Sequence, residues 1–144
     1  MLEEIIHKEK LLALIVRNSF SKEGIEFFTP DDYAQQVGYM KRPEGYIIKP
    51  HVHYQIPRMI STLQEVLFIR RGKVRVDFFD VDQVYIISEV LEEGDFIILI
   101  SGGHGFKMLE ETEIVEVKQG PYIEKKDKEK FHPVDDDEII LKNE

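Results

Sequence analysis

The stretch QEVLFIRRGKVRVDF, residues 64–78, holds two strand-like runs on either side of a basic turn. In its second half Val74, Val76 and Phe78 fall on one parity, while Lys73, Arg75 and Asp77 fall on the other. Successive side chains of a strand point to opposite faces, so this segment reads as a strand with one dry face and one wet face. The first half is apolar after Gln64 and Glu65, and Arg70-Arg71-Gly72-Lys73 separates the two. Similar runs rich in Val, Ile, Phe and Tyr recur at 11–17, 25–29, 37–40, 46–52, 84–91, 95–100 and 114–118. Turn signals such as Arg42-Pro43-Glu44-Gly45, Asp80-Val81-Asp82 and Glu92-Glu93-Gly94-Asp95 lie between them. Short strands spaced by turns predict an all-β sandwich or barrel, not alternating βα units. Residues 96–100 are apolar on both faces, as a central strand requires. Helix signals are few: Thr29-Pro30-Asp31-Asp32 can cap one turn over 33–36, and 2–10 is compatible with a short helix.

The chain has 144 residues, a one-domain length, with 42% apolar and 10% aromatic content, enough to bury a core. It has no cysteine, so a disulfide framework and a thiolate metal site are both excluded, which suits a reducing cytoplasm. The start lacks the basic region of a signal peptide, and the longest apolar runs are too short to span a bilayer. A cytoplasmic, soluble protein with no membrane partner is expected. The net charge of −9 argues against a nucleic-acid partner, whose phosphates are held chiefly by Lys and Arg. The bases that exist crowd the middle, from Lys41 to Arg75, which leaves room for a local anion site. Beyond Pro121 the chain turns highly charged, and a partly ordered tail is expected over 122–144.

His51 and His53 stand one residue apart in a strand-like run. On a strand, positions i and i+2 share a face, so both rings can reach one ion, and neutral imidazole is the commonest ligand for divalent first-row metals. Glu65 opens an apolar run, where a carboxylate needs a partner. His104 follows Gly102-Gly103, whose freedom permits close backbone approach beside a site. Three imidazoles and one carboxylate would leave open positions on a six-coordinate ion for substrate, oxygen or water.

The pattern resembles the first motif of the cupin superfamily: Gly45, five residues, His51-Val52-His53, then Glu65 and, six residues on, Gly72. Eleven residues separate His53 from Glu65, where the motif usually has three or four. The second motif would run from Gly94-Asp95-Phe96 through Gly102-Gly103-His104. At a finer level "QEVLFIRRGKVRVDF", "SGGHGF" and "VEVKQGPY" are similar to single-domain cupins of unassigned function, some found among sugar and polysaccharide genes. The resemblance implies a small jelly-roll β-barrel of two antiparallel sheets over 37–121, with 1–36 packing on it or swapping across it. It implies His51, His53, Glu65 and His104 as ligands of one divalent transition metal: Fe, Mn, Ni or Zn. It also implies a homodimer, to which the run 11–17 could contribute an added strand.

Four residues are candidates for contact with a small, anionic ligand. Arg58, in the long insert, has the fork that grips carboxylate or phosphate, unless it is an ordinary surface arginine. Gln64 lies beside Glu65, Lys118 can reach inward from the last core strand or remain solvated, and Tyr46 adjoins the histidines. His7 and His132 lie in charged segments and read as surface residues. The function expected is a metal-dependent enzyme on a small polar or anionic substrate, of the sugar-phosphate isomerase or epimerase type or an oxygenase. The alternative is a non-enzymatic sensor or binding module using the same metal.

Overall fold

The computed structural model describes residues 1–123 and 128–142, and divides the chain into two compact units, residues 1–20 with 64–144 and residues 21–63. Among the described residues it is all-β, with a single 3-10 turn at Asp136–Glu138 and no α-helix. The larger unit contains β1 (Leu2–His7), β2 (Lys10–Val16), β5 (Glu65–Arg71), β6 (Lys73–Phe79), β7 (Tyr85–Glu92), β8 (Phe96–Leu99), β9 (Gly103–Met108) and β10 (Glu113–Lys118). The smaller unit contains β3 (Gly24–Phe27) and β4 (Gly38–Lys41), paired antiparallel.

Two antiparallel sheets build the larger unit: five strands in the order β1-β2-β8-β5-β10, and three in the order β7-β6-β9. The alternation in β6 decides how they meet. Val74, Val76 and Phe78 enter one buried cluster with Leu91 of β7 and with Ile5, Ala13, Ile15, Leu67, Ile69, Ile97 and Leu99 of the five-stranded sheet. Fully burying such a side chain is worth roughly 1.5–3 kcal/mol, so the shared cluster is what holds the sheets together. As expected from its apolar sequence, β8 is central, pairing β2 on one side and β5 on the other.

The two halves of the opening stretch lie in different sheets, and the chain passes between them at Gly72. Its φ is +86°, and a Cβ there would stand 2.2 Å from the Glu111 carbonyl oxygen, so only glycine fits this corner.

Arg17, just past β2, ties elements of both sheets. Its guanidinium meets Glu3 (2.8 Å), Glu89 (2.8 Å) and Asp95 (3.0 Å), and donates to the Val90 carbonyl (2.6 Å). Burial opposes the charge, but hydrogen bonds to Glu3, Asp95 and Glu89 outweigh it and raise its pKa further.

The β6–β7 turn is organised by Asp80, whose carboxylate accepts the N–H groups of Asp82 (2.9 Å) and Val84 (3.0 Å). The Val84 bond chiefly, with the Asp82 bond and the Lys8 and His7 charges, lowers its pKa below the ordinary 3.8. A carboxyl with a depressed folded pKa contributes stability that is complete above its unfolded value and lost as pH falls through the folded one. Asp80 is therefore expected to titrate below 3.8 by carboxyl-carbon NMR. Below about pH 4 the parent should lose stability faster than Asp80→Asn. A midpoint at or above the ordinary value would refute this account of the turn.

Three sequence expectations are corrected. Leu2–His7 is a strand, not part of a helix: its six residues gain a ladder along β2, and an isolated helix so short is marginal in water. Residues 33–36 form no helical turn among the described residues. Instead the Pro30 carbonyl accepts the Tyr33 N–H (3.0 Å) and the Gln36 side-chain amide (2.7 Å). Residues 46–52 hold no strand: Pro50 and Pro57 interrupt the ladder donors of a segment that stays exposed.

The tail expected over 122–144 lies partly outside the described residues, at 124–127 and 143–144. Its described part is fastened to the three-stranded sheet. Ser88 N–H donates to the Ile140 carbonyl (2.8 Å), and Lys142 N–H to the Ser88 carbonyl (3.1 Å), around a parallel bridge between Ser88 and Leu141. No described helix is long and apolar enough to cross a membrane.

Candidate functional site

Glu65 begins β5 and Lys118 ends β10, and the two are direct cross-strand partners. His104 sits on β9, opposite Phe78 of β6, and so shares the inward face of the three-stranded sheet. The inward faces of the two sheets thus bring an imidazole to a carboxylate: His104 Nε2 lies 3.1 Å from Glu65 Oε2. On the other side of the carboxylate Lys118 Nζ stands 3.8 Å from Glu65 Oε1 and 2.8 Å from Glu116 Oε1. The Glu65 side chain is 14% exposed and that of His104 30%, so the pair is half-sheltered at the rim of the core.

The hydrogen bond with His104 holds the Glu65 carboxyl below the usual carboxylate range, against the opposing effect of burial, and the charges of His104 and Lys118 add to it. Glu65 is therefore an anion at neutral pH, able to accept a proton or a cation. The Phe106 ring lies 5.4 Å from that of His104 and is 38% exposed, forming a wall of the site.

Gln119 is the residue that sequence reasoning passed over. Its Oε1 accepts the Gln64 N–H at 2.9 Å, while its Nε2 is buried and has no hydrogen-bond partner among the described residues. A buried amide N–H left unsatisfied in the protein is a donor awaiting an acceptor. The available signal was its place directly after Lys118, at the end of an alternating strand. Gln64 itself is buried, and its backbone, through Gln119, fixes this corner.

The other sequence candidates belong to the smaller unit. His51 and His53 lie in an exposed segment without strand structure, yet their rings meet edge to face with centroids 5.1 Å apart. His51 Nδ1 is 3.0 Å from the Lys49 carbonyl, which leaves its Nε2 open. Tyr46 is exposed beneath the Arg42 guanidinium, 4.7 Å from its ring centroid, and Arg58 is exposed and donates to the Ile56 carbonyl at 3.3 Å. Of the eight expected site residues, the larger unit brings together Glu65, His104, Lys118 and Gln64.

The Glu65–His104 spacing fits a metal ion as well as a proton. Two ligand atoms each about 2.1 Å from one ion and at right angles lie about 3 Å apart, and a carboxylate oxygen with an imidazole nitrogen is a donor set such ions accept. Among the described residues no cluster of three or more His, Cys, Asp or Glu side chains meets ligand geometry. Compared with family models, curated proteins and solved structures, the chain matches none.

Proposed function

We propose that this chain is a metal-dependent enzyme for a small anionic substrate, with Glu65 and His104 as metal ligands. The observation that carries the reading is the 3.1 Å approach of His104 Nε2 to Glu65 Oε2 from facing sheets, beside a cation and an unpaired amide donor. The cupin-like motif also names His51 and His53 of the smaller unit, and their double alanine variant tests whether metal binding needs them. When bound, a divalent ion would polarise a substrate carbonyl or lower the pKa of a bound water.

The chain's own residues supply the remainder. Lys118 offers its charge to a substrate carboxylate or phosphate, turning from Glu116, with which it now pairs at 2.8 Å. The Gln119 amide donates to a substrate oxygen and so fixes its orientation. Phe106 keeps water from one side of the imidazole.

The test is elemental analysis of untagged protein beside two variants, His104→Ala and the His51→Ala, His53→Ala double. Near-stoichiometric iron, manganese, nickel or zinc in the parent and its loss from His104→Ala are expected. Retention of metal by the double variant would confine the ligand set to the larger unit. Absence of metal from the parent after reconstitution would refute the reading, and bound metal and anion without turnover on a sugar-phosphate panel would make the protein a binding module.

A further inference from the structure

The outward face of the three-stranded sheet carries a second polar assembly, on the side of β6 opposite the buried valines. Arg75, 8% exposed, is chelated by Asp77, Nε to Oδ1 at 2.7 Å and Nη2 to Oδ2 at 3.1 Å. Asp77 is in turn held by the Ser88 hydroxyl at 2.5 Å, and Ser88 Oγ lies 2.9 Å from the Tyr85 hydroxyl. This relay fixes the guanidinium plane and leaves Nη1 pointing at the C-terminal segment, where it donates to Asp136 Oδ1 at 3.0 Å. Lys107, the cross-strand neighbour of Arg75 on β9, pairs with the other oxygen, Asp136 Oδ2. One carboxylate is therefore shared between two cations that stand on paired strands.

The way Asp136 is held sets it apart from the cations. Its side chain is 63% exposed, whereas that of Arg75 is 10% exposed. The segment has anchors of its own on either side: Phe131 stacks edge-on against Phe79 at 5.0 Å, and Ile140 and Lys142 hydrogen-bond the Ser88 backbone. Between segment and sheet lies a cleft of about 340 Å³, with Arg75, Asp77, Phe79, Gly105, Phe106 and Lys107 on the sheet side and Pro133 to Asp136 on the other; the Asp77 carboxylate there is taken up by Arg75 and the Ser88 hydroxyl. That space exceeds what one carboxylate fills.

We propose that this face is an oxyanion-binding site for a phosphate group, which the chain's own C-terminal segment occupies with the Asp136 carboxylate in the ligand's place. Arginine and lysine on rigid strands present the donors a phosphate takes, and the arginine is oriented in advance by Asp77. A tethered carboxylate acts at an effective concentration of roughly millimolar or above, so it shields the site from dilute anions and yields to a ligand that grips both cations better. The inference does not depend on the metal reading, whose ligands Glu65 and His104 lie on the inward faces.

Inorganic phosphate is the probe, titrated by calorimetry into the full-length parent and into Asp136→Ala and Asp136→Asn. Removing the tethered charge should tighten phosphate binding at least about tenfold in both variants, and adding Lys107→Gln to Asp136→Ala should abolish the gain. Asp136→Asn keeps the side-chain shape, and matching unfolding midpoints exclude a general loosening. Phosphate binding no tighter in either Asp136 variant than in the parent would overturn the proposal. So would tightening that survives Lys107→Gln, since the anion would then bind elsewhere.

Discussion

Replacing Arg17 by Met is expected to lower the unfolding free energy by about 3–5 kcal/mol, the range for removing one partner of a buried ionic group. Glu3, Glu89 and Asp95 are 10%, 7% and 8% exposed in their side chains, and all three converge on this guanidinium. Without it, three carboxylates with little water lose the cation they share, and the Val90 carbonyl loses the Arg17 donor. Asp95 keeps the N–H groups of Asn18 (2.8 Å) and Glu92 (3.1 Å), and Glu89 keeps that of Val90 (3.2 Å), so the penalty comes chiefly from the lost charge. Urea titration of Arg17→Met, alone and with Glu3→Gln and Glu89→Gln, measures this. Partial recovery in the triple variant is expected, and a loss under about 1 kcal/mol in the single variant would show that solvent already screens the cluster.

Truncating Phe78 to Ala should cost about 3–5 kcal/mol, the range for deleting a buried phenylalanine side chain. Phe78 is 1% exposed in the cluster that both sheets share, so its loss opens a void between them. It is also the cross-strand partner of His104, so the same void removes the support that keeps the imidazole near Glu65. Two readouts test the pair of effects: the unfolding free energy, and the His104 ring resonances in folded protein. Unmoved His104 resonances would show that β9 is held without Phe78. Phe78→Leu, which fills most of the volume, should cost under half as much.

Where strands alternate, the sequence was legible. Val74, Val76 and Phe78 predicted the buried face of β6, and the doubly apolar run at 96–100 predicted a central strand, found as β8. What local pattern could not supply was partnership. Residues 46–52 alternate well enough to pass as a strand, but Pro50 and Pro57 break their neighbourhood and no ladder forms. β9 escaped notice because Gly103, Gly105 and Lys107 give one face no apolar signal, although its other face holds His104, Phe106 and Met108. The all-β class with antiparallel sheets follows from the runs alone; a closed barrel would need pairings that no run announces. At the site, Glu65 was singled out as a carboxylate in an apolar strand, and Lys118 as its strand's last side chain. Their direct pairing depends on the β5–β10 register, which sequence spacing does not fix.

The position of β8 also sets the order in which this protein can be made. β2 and β5 are far apart in the sequence and do not pair with each other; they are joined in one sheet only through β8, at residues 96–99. A ribosome releasing the chain from its N-terminus therefore presents β1 and β2 as a hairpin with one open apolar edge. That edge stays open until some eighty further residues have emerged, roughly 4–16 seconds at about 5–20 residues per second. Through that interval Leu12, Ala13 and Ile15 lack the cluster they join in the folded protein, so high contact order makes this fold slow to close and dependent on shielding of its first hairpin during synthesis.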